Sequence, residues 1–121
     1  MGYQTYYYGD LQIVPPVTVE ERAEHPELDQ VDGDSPFWPY WVSEDGTAIT
    51  TPEDTTKASH HGLIGLVKVL LDSNPQRQIL GYTYGDGESV GDHWRAWVDL
   101  GEVYTEDAKL IWPDGTEAQT D

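Results

Sequence analysis

The sequence predicts an α+β fold in which a single small antiparallel sheet carries one long and one short helix on one face. Several short runs alternate apolar and polar residues, as strands do, and one segment has the apolar spacing of a helix. The predicted order is strand, helix, two strands, helix and three strands, which suits an antiparallel sheet with its helices on one side. With 121 residues and no internal repeat, we expect one domain over residues 1–115 and a flexible C-terminal tail over 116–121.

The N-terminal segment predicts one strand followed by the short helix. In QTYYYGDLQIVPP, apolar and polar residues alternate until two prolines end the strand. Thr18 and Glu21 have the spacing of a capping box, in which the two side chains satisfy free amides at a helix start. We expect this helix to end near His25, and the polar residues 27–36 to form a loop.

The middle of the chain predicts a hairpin and the long helix. FWPYWVSEDGTAITTPED reads as two extended runs joined by a turn at residues 44–46, because Glu-Asp-Gly tolerates the positive φ of a tight turn. Residues 57–73 carry an apolar stripe at three- and four-residue spacing and are stopped by Asn74 and Pro75. The residues of the stripe are Leu63, Leu66, Val67, Leu70 and Leu71.

Three strands are predicted after the long helix: QILGYTY, HWRAWVDL and KLIWPDG, the last closed by a Pro-Asp-Gly turn. The middle one alternates most clearly. Its two faces consist of Trp94, Ala96 and Val98 on one side and of His93, Arg95 and Trp97 on the other.

Charge is the dominant property of the composition. The chain has 23 acidic against 6 basic residues, a formal net charge of -17 and a sequence pI of about 4.2. Such a field repels nucleic acids and anionic lipids and favours encounter with basic surfaces, so we predict no direct binding to nucleic acid or membrane. Cysteine is absent, which excludes disulfides, thiolate metal sites and cysteine nucleophiles. Because no secretory signal or membrane span is visible, we expect the protein in the cytoplasm.

Two acidic loops resemble cation sites. In YGDGESVGDHW, the acids Asp86, Glu88 and Asp92 do not keep the spacing of a calcium loop, and three glycines between extended runs favour a bulged hairpin turn. The segment DQVDGD fails the same test, so its acids are expected to be solvated. These acids are Asp29, Asp32 and Asp34. We predict neither a metal ion nor a cofactor.

The histidines and tryptophans give weaker indications of a site. His60 and His61 lack the i, i+4 separation of a helical metal pair, and His93 beside Asp92 has no recognisable nucleophile to serve. We therefore predict no catalytic residue. Tryptophans in strand-like runs usually form the core of a small domain. Trp41 and Trp97, however, have the opposite parity to Trp38 and Trp94, so whether they are core or partner-binding residues stays open.

The chain resembles a family of small bacteriophage and bacterial proteins for which no activity is established. The likeness covers residues 1–104 and rests on the opening MGYQTYYYGDLQIVPP, on FWPYWVSEDGTAI and on LGYTYGDGESVGDHWRAWV, with Glu-Asp-Gly-Thr-Ala-Ile as the most specific part. This chain differs in a shorter segment after Pro16 and in a Thr-rich stretch after Ile49. The resemblance implies a phage or mobile-element origin and assigns no catalytic residue.

Two function classes follow. The first is a non-enzymatic acidic protein that binds a basic surface of a host protein, such as a DNA-handling or defence protein, and inhibits it as a nucleic-acid mimic. The second is a small ligand-binding domain or enzyme with an aromatic pocket between sheet and helix that uses His93, Arg95 and Asp86, the charge then serving only solubility or salt adaptation. For the first class, the predicted partner-binding residues are Asp29, Asp32, Asp34, Glu44, Asp45, Asp86, Glu88, Asp92, Trp41 and Trp97.

Overall fold

The computed structural model describes residues 4–30, 35–52, 54–56, 61–87, 93–109 and 111–117. Within these ranges the chain forms strands, two α-helices and one 3₁₀ helix. The strands are β1 (Gln4–Tyr8), β2 (Leu11–Val14), β3 (Trp41–Val42), β4 (Ala48–Thr50), β5 (Asp54–Thr56), β6 (Gln78–Leu80), β7 (Thr83–Gly87), β8 (His93–Asp99) and β9 (Glu102–Asp107). The helices are α1 (Val19–Glu24), the 3₁₀ helix Pro26–Asp29 and α2 (His61–Ser73).

These strands form two sheets, so the prediction of a single sheet is wrong. One sheet has five strands in the order β5-β1-β7-β8-β9, and the other has four in the order β3-β4-β2-β6. All of their neighbours are antiparallel. Helices and antiparallel strands are both present, but they are not arranged as one sheet with a long helix on it.

Two glycine bends are the physical reason for the error. The sequence predicts one strand over residues 4–14 and another over residues 78–84, but each segment bends and passes from one sheet to the other. Gly9 lies between β1 and β2 at φ +81°, and Gly81 lies between β6 and β7 at φ +97°. A Cβ atom on Gly9 would lie 2.8 Å from the Tyr82 carbonyl oxygen, so the two bends pack against each other.

The core is built from the inward residues of both sheets and from one face of α2. Tyr7 of β1 packs edge-to-face on Tyr40 and on Trp94, with ring centroids 6.0 and 5.8 Å apart. Gly85 leaves room for the Trp94 indole, since a Cβ atom there would come within 2.2 Å of the ring. The buried apolar residues are Tyr7, Leu11, Ile13, Val17, Leu28, Phe37, Tyr40, Val42, Ile49, Leu63, Leu66, Val67, Leu70, Ile79 and Ala96.

The short helix forms where the sequence predicts it. The Thr18 side chain accepts a hydrogen bond from the Glu21 amide, and the Glu21 carboxylate accepts one from the Thr18 amide, so the predicted capping box is present. Glu21 also reaches the guanidinium of Arg77, which is 4 % exposed. This ion pair fixes α1 to the segment that leads from α2 into β6.

The long helix occupies His61–Ser73, and residues 57–60 of the predicted helix lie outside the described residues. Its predicted stripe faces the core: Leu63, Leu66, Val67 and Leu70 are buried, and Leu71 is half-buried. Gly62 allows the helix to approach the Phe37 carbonyl, because a Cβ atom there would lie 2.3 Å from that oxygen. The helix ends as predicted before Asn74.

Both predicted hairpins are consistent with the strand pairing. β3 pairs with β4 across the turn at residues 44–46, where Gly46 has φ +77°. The strands on either side of YGDGESVGDHW, β7 and β8, pair antiparallel with Asp86 opposite His93. Pairing of the flanking strands is what the turn interpretation of this segment requires.

The predicted last strand is wrong. The final strand of the described chain is β9, a segment for which the sequence predicts a turn, whereas Ile111 of KLIWPDG forms only an isolated bridge with Glu117. Three acidic residues and one threonine among its six positions conceal β9, because its alternation is polar on one side and only weakly apolar on the other. The Pro-Asp-Gly turn is present, with the Trp112 amide donating to the Thr116 carbonyl.

Among the residues that the structure describes, no helix is long and apolar enough to cross a membrane.

A candidate binding face on the five-stranded sheet

The five-stranded sheet has one face on the core and one in solvent, which we call the outer face. Strand alternation assigns side chains to the two faces, and in β8 the predicted division holds. Ala96 is buried, and Trp94 and Val98 pack on the core. His93, Arg95 and Trp97 therefore lie on the outer face.

An aromatic ladder crosses this outer face. It consists of Tyr8 of β1, Tyr84 of β7, Tyr82 from the bend before β7, Trp97 of β8 and Tyr104 of β9. Successive ring centroids along that order are 4.9, 6.2, 5.6 and 5.9 Å apart. These separations lie in the range of favourable aromatic pairs. The ladder thus spans the four strands from β1 to β9 without a gap.

The rings of the ladder are accessible to solvent. Tyr8 is 54 % exposed, Tyr82 40 % and Tyr104 39 %, and the remaining two rings are half-buried. Isolated exposed aromatics are common on protein surfaces, but a contiguous group of them marks an interaction site. The ladder is therefore the strongest candidate for a binding surface in the described chain.

Arg95 lies in the middle of the ladder. Its guanidinium carbon is 4.6 Å from the centre of the Tyr82 ring and 5.8 Å from that of Trp97. Its Nη2 atom also donates to Glu106 Oε1 across the β8–β9 pair at 3.0 Å. The guanidinium thus contacts both aromatic rings and a carboxylate. Both kinds of group attract this cation.

Carboxylates surround the ladder. At the β9 end, the Tyr104 hydroxyl donates to Glu102 Oε2 at 3.3 Å, and the negative charges of Glu102 and Asp99 raise the pKa of Tyr104. Near the other end, Asp86 Oδ1 lies 2.9 Å from His93 Nδ1. The outer face therefore combines exposed aromatic rings with a negative potential.

Of the six predicted partner-binding residues that the structure describes, five fall into two groups. Asp86 and Trp97 lie on the outer face, with Trp97 half-buried in the ladder. Asp29, Glu44 and Trp41 line a depression beside Arg22, which is bonded to Asp29 at 2.8 Å. Arg22 also donates to the backbone carbonyls of Ser43 and Glu44. Trp41 belongs to this second region and is half-buried. Its ring stacks on that of Trp38, with the centroids 6.2 Å apart.

Asp45 has a structural role. Its Oδ1 atom accepts hydrogen bonds from the Ser43 hydroxyl, the Thr47 amide and the Thr47 hydroxyl at 2.8, 3.1 and 2.6 Å. The hydrogen bonds from Thr47 and the one from the Ser43 hydroxyl lower the pKa of Asp45 to about 2. The carboxylate therefore closes the β3–β4 turn. Asp32, Asp34, Glu88 and Asp92 lie outside the described residues, as does His60.

Sequence reasoning missed the tyrosines of the ladder. Tyr8, Tyr82, Tyr84 and Tyr104 were not selected as candidates, because each looks like ordinary strand material on its own. A signal was present in YYY, where Tyr6 and Tyr8 have the opposite parity to Tyr7. Burial of Tyr7 alone requires its two neighbours to face solvent, as they do.

No group of three or more potential metal-ligating side chains occurs in the described ranges. Comparisons with protein families, with characterised proteins and with solved structures found no match. The resemblance to the phage family therefore stays a prediction, and the interpretation of the site depends on its geometry.

Proposed function

We propose that the protein is a non-enzymatic, acidic interaction module that binds a basic surface of another protein through its outer face. The observation that carries this proposal is the aromatic ladder, an apolar surface left open to solvent on a chain with a net charge of -17. Exposed aromatic residues supply contact area and anchors at protein interfaces. The charge adds long-range attraction toward a basic partner and raises the association rate.

A protein partner suits this face better than a nucleic acid does. Aromatic side chains on an open sheet also stack on the bases of single strands, but such proteins follow the phosphate backbone with a positively charged groove. Here Arg95 and His93 are both paired with carboxylates, and the flanking side chains include Asp99 and Glu102. The surrounding potential therefore opposes phosphate binding.

The resemblance to phage proteins and the acidity together suggest the kind of partner. We propose a basic host protein in the bacterial cytoplasm, such as a DNA-handling or defence protein whose nucleic-acid site attracts carboxylates. In this proposal the protein acts as an inhibitor, because it would compete with nucleic acid for that site.

Affinity capture from bacterial lysate tests the proposal. Wild-type protein is immobilised, and bound proteins are eluted by rising salt and identified. We expect a basic protein that is retained at low salt, released at high salt and displaced by added duplex DNA. Recovery of no basic protein at low salt would contradict the proposal.

A matched pair of variants tests whether the outer face is the binding surface. Trp97→Ser removes a ring of the ladder, whereas Trp112→Ser removes a tryptophan that is 60 % exposed in the C-terminal turn. Capture should be lost with the first variant and kept with the second. Equal capture by both variants would place the binding surface elsewhere.

A ligand-binding domain or enzyme is the second candidate, favoured by a cavity of about 410 Å³ lined in part by Tyr84, His93, Arg95 and Glu106. Of the predicted trio, His93 and Arg95 line this cavity, and Asp86 lies 2.9 Å from His93. The cavity is on the outer face, however, and not between sheet and helix, where the pocket is predicted. Saturable binding of a small anionic or aromatic compound, lost in His93→Gln, would favour this candidate.

A further inference from the structure

We infer that the outer face recognises arginine side chains of its partner, and that Arg95 occupies this guanidinium site in the free protein. This inference depends on the proposed function and narrows it to one chemical group. Its site consists of the Tyr82 and Trp97 rings, the Tyr104 end of the ladder, and the carboxylates of Glu102 and Glu106.

The site already holds a guanidinium group. Arg95 stacks on Tyr82 at 4.6 Å and donates to Glu106 at 3.0 Å. A partner arginine needs the same two contacts, because its planar cation stacks on an aromatic ring while its N–H groups bond a carboxylate. The intramolecular contact thus shows that the spacing of ring and carboxylate accepts a guanidinium.

The contact is open enough to be exchanged. The side chains of Arg95 and Glu106 are 39 % and 55 % exposed, respectively. Exposed ion pairs of this kind contribute little to the free energy of folding, so breaking the Arg95–Glu106 pair to admit a competing arginine costs little free energy. The Tyr82 ring, 40 % exposed, can also be reached from solvent.

Arginine is favoured over lysine at such a site. The ammonium of lysine is a compact and strongly hydrated charge, whereas the guanidinium is weakly hydrated and planar, and it stacks on rings. The acidic rim attracts both residues equally at long range. The rings therefore provide the discrimination, and the carboxylates provide the attraction.

Two capped peptides test the inference: acetyl-Gly-Arg-Gly-Arg-Gly-amide and its counterpart with lysine in place of both arginines. Their dissociation constants are measured by calorimetry at low salt, and the Trp97 indole N–H is followed by NMR. We expect the arginine peptide to bind at least about fivefold more tightly and to shift the Trp97 signal. Equal affinities, or no shift at Trp97, would overturn the inference.

A pair of variants tests whether Arg95 occupies the site. Arg95→Gln frees Tyr82 and Glu106, while Lys68→Gln removes the same charge from an exposed position on α2. Arg95→Gln should tighten arginine-peptide binding about threefold more than Lys68→Gln does. A weaker or equal effect would contradict self-occupation, because the gain would then reflect net charge alone.

The outcomes separate this inference from the proposed function. If the lysate yields a basic partner that depends on Trp97 but the peptides show no preference for arginine, the guanidinium site is refuted and the interaction module stands. If neither peptide binds and no basic partner is captured, both fail. Tyr82→Ser, with an unchanged melting temperature, should abolish the preference for arginine; a retained preference would also refute the site.

Discussion

The ion pair between Glu21 and Arg77 should contribute more to stability than any other pair in the described chain. The Arg77 side chain is 1 % exposed and that of Glu21 is 14 % exposed. Both carboxylate oxygens accept from the guanidinium at 2.7 Å, and the Ser73 hydroxyl donates to Oε2 at 2.5 Å. The guanidinium also donates to the carbonyls of Pro15, Pro16 and Leu70.

Glu21→Gln should therefore lower the free energy of unfolding by about 3 kcal/mol. Removing one partner of a buried pair costs about 3–5 kcal/mol, and we expect the low end because glutamine keeps the shape and can still accept hydrogen bonds. With a urea dependence of about 2 kcal/mol per molar, the unfolding midpoint falls by roughly 1.5 M. Urea titration followed by tryptophan fluorescence measures this shift.

Glu24→Gln is the matched control, because Glu24 is an exposed residue of the same helix. It removes the same negative charge and has a similar helix propensity, so any relief of self-repulsion is common to both variants. We expect a change within about 0.5 kcal/mol. A difference of less than about 1 kcal/mol between the two variants would refute the argument, since the Glu21–Arg77 pair would then behave as a surface pair.

The pair also predicts a pH dependence. The hydrogen bonds from Arg77, assisted by those from Ser73 and Thr18, hold the pKa of Glu21 well below its usual range. A lowered folded-state pKa stabilises the protein above the unfolded-state value of about 4.3, and this stabilisation is lost as the pH falls further. The stability difference between wild type and Glu21→Gln should thus be constant from pH 8 to pH 5.5 and shrink below about pH 4.

Four further variants test the packing and one backbone conformation. Gly62→Ala should lower the stability of the protein by about 2 kcal/mol, because the added Cβ would lie 2.3 Å from the Phe37 carbonyl oxygen. Gly65→Ala should raise it by up to about 1 kcal/mol, because the added Cβ would lie 3.5 Å from the Phe37 ring and alanine favours the helix. Thermal melts measure both changes. Leu100→Asn should raise stability by about 0.5–1 kcal/mol, because Leu100 is 92 % exposed at φ 52° in the β8–β9 turn. Tyr7→Phe should gain about 1 kcal/mol, since the buried Tyr7 hydroxyl has no hydrogen-bond partner among the described residues. A loss of stability in either of the last two variants would contradict these assignments.

The local elements of the fold could be predicted from the sequence, but the number of sheets could not. The capping box at Thr18 and the stripe of α2 depend on residues within one or two turns, so the chain specifies them locally. Whether a glycine interrupts a strand or bends it into a second sheet depends on what packs against it. Gly9 and Gly81 have positive φ at the two bends, a Cβ atom on Gly9 would lie 2.8 Å from the Tyr82 carbonyl oxygen, and neither bend has a local sequence pattern of its own.

The candidate site was predictable only in part. The alternation in HWRAWVDL correctly predicts that Trp97 and Arg95 lie on the same face of the sheet. The tyrosines beside them come from β1, the bend at Tyr82, and β9, so their convergence is a property of strand order. The charge of an acidic loop is visible in a sequence, whereas an exposed ring cannot be told from a buried one until its neighbours are known.

The use of arginine supports a functional role for the outer face. Each of the three arginines of this acidic chain forms an ion pair. Arg77 binds Glu21 of α1 and donates to the carbonyls of Pro15 and Pro16 in the loop before α1. Arg22 connects α1 to the 3₁₀ helix and to the β3–β4 turn. Both arginines therefore connect elements that are not paired as strands of a sheet. Arg95 spans only β8 and β9, which already pair over six residues from Trp94 to Asp99. Since the fold gains little from Arg95 there, its position beside the Tyr82 and Trp97 rings and a carboxylate supports the proposed binding role of the outer face.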